Sequence, residues 1–225
     1  MGWVDALWVV GAYVIGTLPS TLIVSRARHA PGLEAASRRR AGETDPHILM
    51  ASQLGVGWAA VAAAGDLIKG LGIVLAARAW SDLRPSGLAM VGVAVVVGHA
   101  FPFYARHMAG RGLAAAAGVY LVLLPVEMVG AGVLIVAGVA VRTTSLATTI
   151  GMGLVPVVAA IQGQPPSFVV MSAAIFVVLM LRRLEGVGDV VRSGIRPGRA
   201  VLYRCVFDSS GPPKRIGRRP PPPLR

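Results

Sequence analysis

The stretch Gly87–Leu124, GLAMVGVAVVVGHAFPFYARHMAGRGLAAAAGVYLVLL, decides how this chain reads. Apolar runs predicted to span residues 87–105 and 111–124 close on Gly98–Gly112, GHAFPFYARHMAGRG. That segment places His99, Arg106, His107 and Arg111 beside three glycines and a proline, where a membrane span should end. Polar, glycine-rich backbone at a bilayer surface frees N–H groups, and guanidinium donors can converge with them on an anion.

Composition agrees with a membrane chain. Of 225 residues, 55% are hydrophobic and 14% charged, with a mean hydropathy of +0.68. A soluble domain carries roughly 25% charged residues. Segments able to cross a ~30 Å hydrocarbon layer recur along the chain. Seven spans are predicted, at about 3–25, 53–79, 87–105, 111–124, 126–141, 144–161 and 166–182. The fold class is therefore all-α, a polytopic helix bundle. Some of its segments are tilted or short, and the pair either side of Pro125 is readable as one kinked helix, which would make six.

Charge sets the orientation. The loop after the first span carries Arg26, Arg28, Arg38, Arg39 and Arg40, the third connection Arg106 and Arg111, and the fifth Arg142. With the eleven Lys and Arg from Arg182 onward, nineteen basic residues fall on one face, against Arg78 and Arg84 on the other. The positive-inside rule puts the N-terminus outside and the C-terminus in the cytosol. Met1–Val10 lacks the basic start of a cleaved signal and reads as part of a permanent anchor. Cys205 is the single cysteine, so no intrachain disulfide or Cys-based metal site is expected. A pI near 11.4 suits contact with anionic membrane lipids. Nucleic acid is not an expected partner, because no aromatic-basic platform accompanies the charge. Residues 1–186 form the predicted membrane domain. Residues 187–225, rich in proline and arginine, are expected to be a disordered cytosolic tail.

Several polar residues fall inside the predicted spans. Gly16-Thr17-Leu18-Pro19-Ser20 breaks the first one, since proline removes a backbone hydrogen bond. Asp66 and Lys69 lie three apart on one helix face, either as a structural ion pair or with Lys69 directed at a phosphate. Arg142-Thr143-Thr144-Ser145 opens another span, and a helix N-terminus suits an anion, although N-capping by Thr143 or Thr144 explains the hydroxyls locally.

Taken in order, these motifs resemble the small bacterial glycerol-3-phosphate acyltransferases that use acyl phosphate as donor. Gly16–Ser20 matches that family's G-S-I-P-like kink, with Pro19 in place. Asp66, Lys69 and Gly70 match its D-x-x-K-G. Gly98, His99, Phe101 and Pro102 match G-H-x-F-P, and Ala109–Ala114 matches the F-K-G-G-K-G-V-A that follows. Arg142, Ser145 and Leu146 match its basic residue, serine and leucine. The resemblance covers roughly residues 10–186.

The resemblance implies acyl transfer from acyl phosphate to glycerol 3-phosphate, giving lysophosphatidic acid for phospholipid synthesis at a bacterial inner membrane, with no cofactor and no metal. It implies His99 and Ser145 at the reacting centre. Lys69, Gly110, Arg111, Gly112, Arg142, Arg182 and Arg183 would hold phosphate, supported by Pro19, Asp66, Gly98 and Pro102. Lys69, Arg111 and Ser145 are expected to share one cavity. No His-x4-Asp pair is present, the motif in which histidine takes the hydroxyl proton and the carboxylate orients it; His29 and Glu34 have that spacing only by coincidence.

The chain departs from the pattern at three places. Arg40–Leu49, RAGETDPHIL, replaces a glycine-rich phosphate cradle and brings in Glu43 and Asp45, whose carboxylates repel phosphate. Arg111 stands alone where the family has two lysines, and the H-x-x-N-I near the end is missing. An altered, inactive relative that binds lipid or a partner is the alternative reading. A small transporter is a third, disfavoured by the absence of an inverted repeat.

Overall fold

The computed structural model describes residues 2–39, 44–192 and 194–205, and every regular element in them is helical. The elements are α1 (Trp3–Gly16), α2 (Ser20–Ala27), α3 (Pro31–Arg39), α4 (Pro46–Leu54), α5 (Val56–Trp80) and α6 (Pro85–Ala100). After a short 3-10 turn at Arg106–Met108 come α7 (Leu113–Leu123), α8 (Pro125–Ala140), α9 (Thr144–Ile161), α10 (Pro166–Leu184), α11 (Val187–Arg192) and α12 (Pro197–Cys205).

The first span is broken where Pro19 predicts. Helices α1 and α2 meet at 43°. Proline 19 has no N–H to continue the ladder, and the amides of Leu22 and Ile23 restart it on the Pro19 carbonyl. Helices α5, α9 and α10 are long and apolar enough to cross a membrane, and the bent α1–α2 pair passes the same test jointly. Helices α6, α7 and α8 are apolar and shorter, at 16, 11 and 16 residues. Around Pro125 the helix is interrupted at the single residue Leu124, and proline takes the first position of α8.

The bundle is inverted relative to a soluble one. Its outward faces carry Leu7, Val10, Ile68, Val133, Val136 and Val170, all exposed. Only 28% of the most apolar window of α5 is buried. Large apolar side chains face outward where hydrocarbon would solvate them, and small residues fill the interior, as in multi-pass membrane proteins. Helix α1 packs on α6, α5 on α7, α8 on α9, and α10 on both α6 and α9. Gly16 and Gly98 make the first crossing possible, because a Cβ on either would strike the other helix's backbone, at Val95 and Tyr13. Gly70 and Gly118 do the same for α5 and α7.

The segment expected as a disordered tail differs over residues 187–192 and 197–205, where α11 and α12 form. Ala200 and Arg204 of α12 are buried, and α12 packs against α10. Residues 206–225 lie outside the described residues, as does the part of the altered first loop that contains Glu43.

Candidate active site

One end of the bundle gathers the polar motifs around a cavity of about 390 Å³. Its charged and hydroxyl lining is Asp45, His47, Asp66, His99, Arg111, Thr144, Ser145, Thr148 and Arg183, and the rest of the lining is apolar, including Met152 and Leu179. A lining that joins charged groups to apolar ones suits an amphiphile with an anionic head.

Asp66 is the hub. Its side chain is 1% exposed, with Lys69 Nζ 2.9 Å from Oδ1, His47 Nε2 2.9 Å from Oδ2 and His99 Nδ1 3.5 Å from Oδ1. Both Asp66 oxygens and His47 Nε2 lack a well-directed hydrogen bond, so Asp66 is held by close ion pairs of poor angle. Burying one carboxylate is expensive, and three cationic or potentially cationic partners offset that cost.

Lys69 does not line the cavity with Arg111 and Ser145, contrary to expectation. Its ammonium bridges Asp66 to the Leu18 carbonyl, at 2.7 Å, which the break at Pro19 leaves outside the α2 ladder. Tyr104 donates to the neighbouring Thr17 carbonyl at 3.0 Å. Sequence spacing pairs Asp66 with Lys69 correctly, but does not show that the ammonium caps a helix break.

The Gly98–Gly112 segment turns at the end of α6 and starts α7 from Gly112, which has φ +88°. Pro102 is buried at its start. A Cβ built on Gly110 would lie 2.7 Å from His99 Nε2 and 3.1 Å from His47 Cε1, so glycine is required for both rings to approach. Arg182 holds this loop from α10. It donates to the carbonyls of Arg106 (3.0 Å), Ala109 (2.9 Å) and Gly110 (3.2 Å), and pairs with Glu185. Arg106 reaches the same carboxylate at 2.6 Å. Arg182 is thus a loop clamp outside the cavity lining, in place of the phosphate ligand expected.

Arg183 does line the cavity. It donates to the Cys205 carbonyl at 2.8 Å, the Ser145 carbonyl at 3.4 Å and the Thr149 hydroxyl. Ser145 sits in the first turn of α9, whose Thr143 N-cap makes no side-chain capping bond. The hydroxyl-capping explanation is therefore not realised, and the amide end of an 18-residue helix opens toward the cavity. Arg142 is exposed at φ +59° in the preceding turn and takes no part in the lining.

Two residues that sequence reasoning did not assign complete the site. Asp45 caps α4 with Pro46 at its first position, and its Oδ1 accepts from the His47 amide (2.8 Å) and meets His47 Nδ1 (3.0 Å). Its Oδ2 lies 3.7 Å from Arg111 Nε. The repulsive carboxylate expected here is in fact neutralised on both oxygens. Burial alone pushes the Asp45 carboxyl up, but bonds from His47 and the charges of His47 and Arg111 prevail and hold it at about 2. Burial likewise opposes the His47 cation, yet its bonds to Asp45 and Asp66 raise it to about 10. Burial, followed by neighbouring arginines, lowers Arg111 to about 10, against the pull of Asp45, so it stays charged at neutral pH. The asparagine-like cap pattern Asp-Pro-His was the available signal, because a capping carboxylate fixes the residue two places on.

Comparison with known proteins places the chain. Residues 6–192 match the family profile described as glycerol-3-phosphate acyltransferase. A glycerol-3-phosphate acyltransferase of Pseudomonas syringae pv. tomato is 39% identical over 124 residues, which are 54% of this chain and 62% of that protein. One from Pseudomonas putida KT2440 is 35% identical, covering 68% of this chain and 78% of the relative. One from Rubrobacter xylanophilus is 31% identical over 84% of this chain and 92% of its own length. Crystal structures of PlsY (YgiH), an integral membrane glycerol 3-phosphate acyltransferase, share the fold. The glycerol 3-phosphate form has a TM-score of 0.70 at 19% identity, covering 85% of this chain and 94% of that one. The lysophosphatidic acid form gives 0.68 at 18%, covering 88% and 98%.

Proposed function

The chain belongs to the glycerol-3-phosphate acyltransferase family, and on that premise we propose that it moves an acyl group from acyl phosphate to glycerol 3-phosphate in the cavity between α4, α5, α6, α7, α9 and α10. It is a multi-pass membrane acyltransferase of phospholipid synthesis. The observation that carries the reading is the convergence of His99, Arg111, Arg183 and Ser145 on one cavity that is otherwise largely apolar.

Arg111 and Arg183, with the amide end of α9, hold phosphate. Charge-assisted bonds of this kind are the strong ones, and Arg suits phosphate geometry. The primary hydroxyl of glycerol 3-phosphate attacks the acyl carbonyl carbon, the C–O bond to the departing phosphate breaks, and an ester forms. His99, facing Asp66, takes the hydroxyl proton, which leaves on inorganic phosphate. Ser145 lines the reacting centre. Acyl phosphate is already activated, so catalysis rests on positioning and charge stabilisation. Lys69 and Arg182 support the site without touching substrate.

The comparisons do not favour an altered, inactive relative. The active site faces the cytosol of a bacterial inner membrane, with the N-terminus outside, because nineteen basic residues lie on the predicted inner face against two opposite. In a Cys205→Ser background, single cysteines at exposed Gly32 and Ser86 label from opposite sides; labelling of both from one side overturns the orientation. Purified protein in lipid, given acyl phosphate and glycerol 3-phosphate, yields lysophosphatidic acid. No transfer from any activated donor overturns the enzyme reading.

A further inference from the structure

Asp66 carries its contacts unevenly. Oδ1 meets Lys69 and His99, while Oδ2 meets His47, which reaches in from α4 on a different part of the chain. A carboxylate torsion is broad, so a partner on one oxygen alone does not fix which way the group faces. A partner on each oxygen does. The His47 ring is itself held by Asp45, whose Oδ1 meets Nδ1 and also accepts from the His47 backbone amide, while the missing side chain of Gly110 leaves room for the ring.

Resting on the acyl-transfer reading, we infer that Asp45 and His47 are a positioning pair: Asp45 fixes the His47 ring, and His47 fixes the Asp66 carboxylate in the orientation that faces His99. The altered first loop thus trades a phosphate cradle for a brace on the residue that orients the base. The pair also joins the two halves of the site. Arg111 lies against Asp45, then His47, Asp66 and His99 follow in one line of contacts from the phosphate end to the reacting end. The groups facing the His47 ring are Asp45 from the α4 cap and Asp66 from α5. Arg111 lies behind the first, Lys69 behind the second, and His99 lies across Gly110.

The test is steady-state kinetics of the full chain in lipid for Asp45→Asn, His47→Asn and the double variant. His47→Asn lowers kcat about tenfold or more and leaves KM for glycerol 3-phosphate within about twofold, because an orienting contact acts on the transition state and not on uniform binding. The double variant is no slower than His47→Asn alone. Unchanged kcat, a raised KM with kcat intact, or losses that multiply in the double variant each overturn the inference.

A second measurement does not depend on turnover or on a folded variant. In wild-type protein with 15N-labelled histidine, the His47 ring at pH 8 carries protons on both nitrogens, as two facing carboxylates require; a neutral ring overturns the pair. Wild-type protein that fails to transfer acyl groups but shows the charged ring leaves the brace standing and removes the acyl-transfer reading.

Discussion

Two buried carboxylates, Asp66 at one end of the bundle and Glu127 at the other, show what separates a site from a structural contact. Both are almost fully buried, at 1% and 4% exposure. Glu127, in the first turn of α8, accepts one hydrogen bond from Gln164 at 3.0 Å. It has no ion-pair partner among the described residues and does not line the cavity that holds Asp66. Asp66 is met by side chains from α4, its own helix α5, and α6, and it lines the cavity that also holds Arg111 and Arg183. A buried acid alone says little. Convergence of segments far apart in the chain is what identifies the functional end.

The sharpest way to break this contrast is Asp66→Ala. It strands Lys69 and His47 without their shared counter-ion, and losing one partner of a buried charge set costs about 3–5 kcal/mol. The expected outcome is loss of the folded protein or a large fall in its thermal midpoint in detergent, with turnover abolished. A variant as stable as wild type removes Asp66 from its place as hub.

Arg111→Ala should come next. Loss of a charge-assisted phosphate contact costs roughly 1.5–3 kcal/mol, or about one to two decades in kcat/KM. Arg142→Ala, at an exposed turn outside the cavity, should stay within about twofold by the same reasoning. Equal losses in initial-rate assays would erase the distinction drawn between the two arginines.

The pH dependence of stability sharpens the comparison further. Asp45 has a folded value lowered to about 2, so its contribution is present above its ordinary value near 3.8 and is lost as pH falls through about 2. His47 is raised from 6.5 to about 10, so its contribution is full below 6.5 and is lost as pH climbs toward 10. The brace is strongest between the two ordinary values and weakens on the alkaline side. Thermal midpoints measured from pH 5 to 10 should fall less steeply in His47→Asn than in wild type.

Glu127→Gln should do least. The amide keeps the shape and an acceptor for Gln164, so stability should change by under ~1 kcal/mol and turnover by less than about twofold. A large loss of activity would mean that the far end of the bundle takes part in the reaction.

The two ends also differ in how much of them the sequence shows. His99, Arg111 and Ser145 were readable because each breaks an apolar run with a polar group that hydrocarbon would not tolerate alone. The break at Pro19 was readable for the same kind of local reason. What spacing does not reveal is which backbone group a long side chain reaches. The motifs point Lys69 and Arg182 at phosphate, yet Lys69 caps the Leu18 carbonyl and Arg182 ties three loop carbonyls. Asp45 looks repulsive in one dimension, where Arg111 is not visible as its neighbour and the cap that turns His47 back onto it is easily passed over. Helix α12 was hidden by its composition, since its anchor is a buried arginine, Arg204, where a sequence reading looks for an apolar stripe.

The close crossing of α1 and α6 at Gly16 and Gly98 has a consequence for how the molecule is made. The two glycines are far apart in the chain, and at synthesis rates of ~5–20 residues per second the second emerges on the order of 4–16 s after the first. During that interval the first span waits in the membrane without its main partner, and α5, which emerges in between, supplies the Lys69 hydrogen bond that covers the open carbonyl at the break. Lys69 is then an early fastener in biogenesis, and its replacement by methionine should show first as newly made chain cleared before it matures, ahead of any change in the turnover of molecules that complete assembly.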